Sequence, residues 1–180
     1  TIELNNLTVA GAQGSDGQVL TSTGSGVGWE DAGGGPTFKE GGTNFANSIM
    51  VGDDSTGTLN AAEGNTGLGI NVFAALTSGD NNVAVGFGSL SANTTGYSNT
   101  AVGAASLDTS TTGHSNVAIG TNALTAVTDG MHNVGVGFQA GDSITTGDHN
   151  TLLGSNTMNA ATTAVNNTVL GSHSATALTE

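Results

Sequence analysis

Four histidines are the residues of this chain that most readily suggest metal binding: His114, His132, His149 and His173. His132 and His149 are 17 residues apart, which is also the period of the repeat described below, so their imidazoles should lie about one strand spacing apart. No carboxylate occupies an adjacent repeat position in both units to complete a set of zinc ligands. We therefore expect solvent-exposed turn residues here, with no bound metal or other cofactor.

The aspartates could in principle bind calcium. They stand at different positions of the repeat, and the glycine-aspartate nonapeptide of calcium-binding β-rolls is absent from the sequence. We expect solvated surface carboxylates at Asp53, Asp54, Asp80, Asp108, Asp129, Asp142 and Asp148.

Catalysis by a Ser/His/Asp group or by paired carboxylates needs residues that depart from a repeat and converge in one pocket. No position of the sequence stands out in that way, and there is no cysteine to supply a thiolate. The recurring glycine of the repeat is not followed by a lysine, which argues against a phosphate-binding loop. The sequence therefore predicts that the protein is not an enzyme.

Charge excludes two further classes of function. The chain of 180 residues has 14 acidic residues and a single basic residue, Lys39, which gives a formal net charge of −13. Such a chain has no cationic patch for nucleic acid or for anionic lipid headgroups. No apolar run approaches the roughly 20 residues of a membrane span. We expect neither nucleic-acid binding nor membrane insertion.

The four histidines and the seven aspartates named above belong to a repeat of 17 residues, whose clearest element is the NVAVG segment that begins at Asn82. We number the positions of each unit 0 to 16, with Asn82 at position 0. Eight units fill residues 48–180; position 4 is glycine in all eight, and position 0 is asparagine in all but the first, which has Ser48. We expect stacked residues of a structural ladder at Asn65, Asn82, Asn99, Asn116, Asn133, Asn150, Asn167, Gly86, Gly103, Gly120 and Gly137.

Within a unit, bulky β-formers at positions 1 and 3 flank a residue at position 2 that is small in most units, as in Val83, Ala84 and Val85. This alternation predicts a strand. Position 8 is mostly apolar, position 12 is threonine seven times, and the frequent glycine at position 14 predicts a turn with positive φ. The sequence therefore predicts an all-β parallel solenoid with two strands and two turns in each coil.

The domain organisation follows from the limits of the repeat. Residues 1–35 contain short strand-like segments separated by glycine and serine, and we expect residues 36–47 to form a joint and a cap over the first coil. Residues 48–180 form the solenoid. Because the coils have few large side chains, we expect the small side chains at position 2 to pack against other copies, in a homotrimer.

The units NNVAVGFGSLSANTTGYS, NTAVGAASLDTSTTGHS and NVAIGTNALTAVTDGMH resemble the head repeats of trimeric autotransporter adhesins and the related shaft repeats of phage tail fibres. The resemblance implies a left-handed parallel β-roll in which three chains pack around one axis. Residues 14–31, GSDGQVLTSTGSGVGWED, separately resemble a connector common in phage tail-fibre proteins.

These resemblances lead to an expected function. The chain is expected to be a section of a trimeric virion tail fibre that spaces or presents a host-receptor-binding region, in contact with other tail proteins. The sequence does not locate the receptor-binding residues. A bacterial surface adhesin head is the alternative, and ice binding by the threonine column at position 12 is the alternative of a different class.

Overall fold

The computed structural model describes residues 48–52 and 59–176 in full and, before them, the backbone of six short strands. The chain divides into two units, Thr1–Pro36 and Thr37–Glu180. In the first unit, two pairs of antiparallel strands form within the chain. They are β1 (Thr8–Val9) with β2 (Ala12–Gln13), and β3 (Gln18–Ser22) with β4 (Val27–Asp31).

The part of the second unit that the structure describes contains eleven further strands. No helix occurs among the described residues, and so none of them forms a helix able to cross a membrane. The strands are β5 (Thr37–Glu40), β6 (Phe45–Ala46), β7 (Ile49–Gly52), β8 (Ala62–Glu63), β9 (Thr66–Gly69), β10 (Val83–Val85), β11 (Thr100–Val102), β12 (Val117–Ile119), β13 (Val134–Val136), β14 (Thr151–Leu153) and β15 (Thr168–Leu170).

Strands β7 and β9 to β15 form one parallel sheet in which each residue pairs with the residue 17 positions later, as Ala84 pairs with Ala101. Each of these eight strands begins one of the eight units of the sequence, and seven coils separate the first strand from the last. The predicted parallel β-solenoid with coils of 17 residues is confirmed. Strand β5 pairs antiparallel with β7 at one edge of this sheet, and β6 pairs parallel with β8.

Each complete coil of residues 65–166 contains one strand, and the prediction of two is wrong for these coils. The second half of a coil is a series of turns, because positions 6 and 8 adopt left-handed φ values that interrupt an extended chain. In one coil these residues are Ala105, with φ of 54°, and Leu107, with φ of 49°. Backbone hydrogen bonds still join successive coils, as from the N–H of Thr94 to the carbonyl of Thr111 at 3.0 Å.

The left-handed turn at position 8 also accounts for an irregularity of the sequence. Position 8 is filled by buried apolar side chains in most units and by Gly141 in one. Gly141 has a φ of 66°, so glycine is the residue with the least backbone strain at this position. The apolar side chains at this position are therefore retained for their burial in the core, against a local conformational cost.

The core lies inside each coil and runs the length of the solenoid. It is built from positions 2, 8 and 11, with smaller side chains at position 7. Buried apolar side chains at these positions include Phe73, Leu76, Leu90, Leu107, Leu124, Val127, Ile144, Leu152 and Met158.

Candidate functional site

The asparagines of position 0 form a continuous column of hydrogen bonds along the solenoid. The backbone N–H of Asn99 donates to Oδ1 of Asn82 at 2.9 Å, and the N–H of Asn116 donates to Oδ1 of Asn99 at 3.0 Å. The same bond joins every neighbouring pair from Asn65 to Asn167. At the start of the column, Ser48 Oγ accepts from the N–H of Asn65 at 2.8 Å.

The amide nitrogens of the same side chains bind a second group. Nδ2 of Asn116 donates to the carbonyl of Gly130, 14 residues later, at 2.8 Å, and Nδ2 of Asn133 donates to that of Gly147 at 2.7 Å. Both ends of each interior amide are therefore used by backbone groups, which allows Asn65, Asn82, Asn99, Asn116, Asn133 and Asn150 to be completely buried.

The tolerance of asparagine for left-handed backbone conformations does not explain why it occupies position 0. None of the seven has a positive φ; the left-handed residue is the preceding one, at position 16, such as Ser115 with φ of 57°. The hydrogen bonds of the amide, and not the backbone conformation, therefore account for asparagine at position 0.

Glycines at two positions allow successive coils to approach closely, for different reasons. At position 4, Gly103 has a φ of 137°, and a Cβ there would lie 2.5 Å from the carbonyl oxygen of Gly120. Gly86, Gly120 and Gly137 share this geometry, with φ between 126° and 136°. At position 14 the predicted positive φ is wrong. Gly113 lacks it, and glycine is needed because a Cβ would lie 2.7 Å from the carbonyl oxygen of Gly130.

The threonines of position 12 are bound to the coil that follows. Oγ1 of Thr94 donates to the carbonyl of Thr111 at 2.9 Å, and Oγ1 of Thr145 donates to that of Thr162 at 3.1 Å. The carbonyl of Thr111 also accepts backbone N–H groups from the preceding coil, including the N–H of Thr94. The donor protons of the five hydroxyls from Thr77 to Thr145 are thus committed to the protein, which weakens the interpretation of the column as an ice-binding array.

The two faces of the strands are the reverse of the prediction. Ala84, Ala101 and Ala118 at position 2 are completely buried inside their own coils, so they cannot pack against other copies. The β-branched residues at positions 1 and 3 point outwards, as Val83 and Ile119 do, with 36% and 41% of their surface exposed. Position 2 is small because it faces a narrow coil interior already filled by positions 7 and 8.

The outward side chains at positions 1, 3, 5 and 15 form what we call the apolar face. Every large hydrophobic residue that is exposed among the described residues lies at one of these four positions. They are Ile49, Leu68, Ile70, Val83, Phe87, Tyr97, Ile119, Phe138, Leu153, Val165 and Leu170. Exposed large hydrophobic residues concentrated at four positions of a repeat are unusual for the surface of a monomeric soluble protein.

Positions 9, 10, 12 and 13 form what we call the polar face. In the complete coils of residues 65–166, positions 9, 10, 12 and 13 carry only Ala, Ser, Thr, Asp or Asn. The solenoid is therefore amphipathic in cross-section. Sequence reasoning missed positions 5 and 15. Alternation continued from positions 1 and 3 would have identified position 5, but not position 15, because the left-handed residue at position 16 interrupts the alternation.

Three of the four histidines lie in a surface column with Tyr97. The rings of Tyr97 and His114 are stacked with centroids 4.5 Å apart, and those of His132 and His149 are tilted with centroids 4.8 Å apart. His114 and His132 meet edge to face at 5.7 Å. His173 hydrogen-bonds through Nδ1 to Ser172 at 2.8 Å. No group of three or more possible metal ligands is present among the described residues.

Among the described residues, the carboxyl of Asp142 has a raised pKa. Partial burial raises the pKa of Asp142, and the hydrogen bond from Ser143 Oγ at 3.4 Å acts in the opposite direction. Asp142 belongs to the polar face, at position 9.

Asp148 lies at position 15, where its side chain accepts a hydrogen bond from the N–H of Met131 at 2.8 Å. Asp148 thus serves a neighbouring coil, as Asp80 does for the N–H of Glu63.

The described residues therefore offer two extended features, a buried polar ladder and an exposed apolar face. Both run along the solenoid, and neither converges on a point. Comparison of this chain with protein-family models, with curated proteins and with solved structures gives no match.

Proposed function

We propose that this chain is a structural section of a homotrimeric fibre, most specifically a virion tail fibre, that spaces or presents a host-receptor-binding region. The single observation that carries the proposal is the confinement of all exposed large hydrophobic residues of the described part to one face. Burial of Phe87, Ile119 and Phe138 would stabilise an assembly by about 25 cal/mol for each Å² removed from water.

The trimer and the virion have different support. Three copies around one axis cover a single apolar face on each chain and leave each polar face in solvent. The resemblance to adhesin heads and tail-fibre shafts favours this arrangement. The connector-like residues 14–31 favour a tail fibre over a bacterial surface adhesin. In this proposal the asparagine column stiffens each chain along the fibre axis.

The oligomeric state of the full chain in solution tests the proposal. Multi-angle light scattering should give about three times the chain mass of 17.4 kDa. Ile119→Glu and Phe138→Glu place a charge on the apolar face and should dissociate the trimer. Thr112→Glu and Thr146→Glu place the same charge on the polar face, at exposed positions, and should leave it intact.

A folded monomer in the unmodified protein would contradict the trimer. To test the location, antibodies against the solenoid should label the tails of phage particles in electron micrographs. Labelling of bacterial surfaces in the absence of phage would instead support the adhesin.

A further inference from the structure

Two coils in the middle of the solenoid have a polar core. In the coils of residues 82–98 and 99–115, positions 7 and 11 carry Ser89, Asn93, Ser106 and Ser110, all completely buried. The two serines of position 7 are partnered, with Ser89 Oγ 3.0 Å from Ser106 Oγ; one hydroxyl donates across this contact and the other donates to a nearby carbonyl. Position 11 differs, because Asn93 Oδ1 and Ser110 Oγ have no hydrogen-bond partner in the protein.

The orientation of the Asn93 amide is determined by its surroundings. Its Nδ2 donates to the carbonyl of Gly96 at 3.1 Å, and the same carbonyl accepts Nδ2 of Asn82 at 2.9 Å. Exchanging the oxygen and nitrogen of the Asn93 amide would place two oxygens against each other. Oδ1 is therefore an acceptor in the interior, where an unpaired oxygen costs about 1–3 kcal/mol.

Side-chain size at position 11 indicates how much room lies beside Ser110. The next coil has Val127 at this position, with the same alanine at position 2 and the same leucine at position 8 as the coil of Ser110. The separation of these coils is fixed by backbone bonds such as that from Thr111 N–H to Thr128, at 2.9 Å. Serine in place of a larger apolar side chain leaves space on the order of one water molecule.

Another coil also has a small residue at position 11, but there larger side chains at other positions fill the space beside it. Ala161 occupies position 11 in the coil of residues 150–166. There the larger Leu152 and Met158, both buried, stand at positions 2 and 8. The coil of Ser110 has no such enlargement, since it has Ala101 and Leu107 at those positions.

We propose that Asn93 and Ser110 bind one internal water molecule that bridges the two coils. The water donates one hydrogen to Asn93 Oδ1 and makes a second hydrogen bond with Ser110 Oγ. It completes the only two side-chain polar atoms that are buried and unpaired among the described residues. With the Ser89–Ser106 contact, it links the polar side chains in the cores of the two coils.

A high-resolution crystal structure of the full chain tests this directly. One ordered peak should lie within hydrogen-bonding distance of both Asn93 Oδ1 and Ser110 Oγ. Ser110→Val, which introduces the side chain of Val127 one coil away, should remove the peak. Val127→Ser, the reverse exchange in the next coil, should lower the melting temperature, because it removes a buried apolar side chain from the core.

In solution, the Asn93 side-chain amide should show a magnetisation-transfer cross-peak to a long-lived water that is lost in Ser110→Val. A direct hydrogen bond between Asn93 and Ser110, or a peak that persists in Ser110→Val, would overturn the proposal. So would the absence of both the peak and the cross-peak in the unmodified protein.

Discussion

The side-chain amide of each interior asparagine performs three tasks with one group. It accepts the N–H of the next strand entrance, donates to the carbonyl that closes the turn, and fills the corner of the coil without leaving an unpaired atom. Serine can serve where only one bond is needed, as Ser48 does at the start of the column. An aliphatic side chain could replace the volume but neither bond.

Replacing Asn116 by glycine tests the strength of these bonds. Asn116→Gly leaves the N–H of Asn133 and the carbonyl of Gly130 without partners. The free energy of unfolding should fall by about 1–3 kcal/mol per chain, measured by urea denaturation. Asn166→Gly is the matched control, because Asn166 is exposed and already left-handed, with φ of 59°. Equal losses in the two variants would contradict a special role for the column.

A methyl group at position 14 should disturb the spacing of the coils. In Gly130→Ala the new Cβ would lie 2.5 Å from the carbonyl oxygen of Gly147, so the coils must separate at a cost of about 1–3 kcal/mol. Gly88→Ala should cost less, at most about 1 kcal/mol. Its Cβ would meet only Asp108 at 3.9 Å, and Ala105 already adopts the same conformation one coil later. Thermal unfolding of the two variants measures the difference.

The raised pKa of Asp142 gives a signed dependence on pH. Because the folded-state pKa lies above the unfolded value, the stability linked to this carboxyl is present at low pH and lost as the pH rises through the folded pKa. Asp142→Asn should therefore gain stability relative to the unmodified protein between about pH 3 and pH 7. Asp129→Asn, at an exposed position, controls for the change in net charge. A difference that does not vary with pH would refute this assignment.

At the scale of the element, the period of the repeat and the position of the strand were predictable from the sequence. Which face of the strand points into the coil was not. Glycine at position 4 and asparagine at position 0 fixed the repeat, and the alternation at Val83, Ala84 and Val85 located the strand. Alternation alone does not distinguish inside from outside. Here the interior is narrow, so the small residue is the buried one, as Ala84 shows, and the usual association of bulk with burial fails.

The left-handed turns in the second half of each coil were not predicted, for a different reason. Leucines such as Leu90 and Leu107 adopt left-handed conformations that leucine rarely occupies in isolation. Their burial in the core and the bonds between coils outweigh the local preference. Only the appearance of Gly141 in the same column hinted at this conformation.

The inverted faces change the expected effect of a charged residue at position 2. Ala118→Arg would place a guanidinium in the closed interior of its own coil, against Leu124, with no carboxylate to pair with it. We expect loss of the folded solenoid, seen by circular dichroism, and not a folded chain that merely fails to assemble. Thr112→Arg, on the polar face, should leave both fold and assembly unchanged. A folded monomer of Ala118→Arg would show that position 2 faces outwards.

At the scale of the whole molecule, charge opposes both folding and assembly. A net charge of −13 with one cation leaves few attractive pairs, and a trimer would bring three such chains together. Raising sodium chloride from about 10 mM to about 150 mM should therefore raise the melting temperature, because screening weakens the repulsion. Magnesium chloride at equal ionic strength is the control. A much larger effect of magnesium would indicate a divalent-cation site, contrary to the expectation of no metal.

The constant spacing of the hydrogen bonds in the solenoid also has a kinetic consequence. Each coil pairs with residues 17 positions away in a chain of 180, so the relative contact order is only about 0.1, a value more typical of helical proteins than of β-proteins. Formation of the first pair of coils is then the slow step of folding. Each later coil adds to a preformed template at the same small entropic cost. The solenoid should fold, and yield under force, as a zipper that closes and opens one coil at a time.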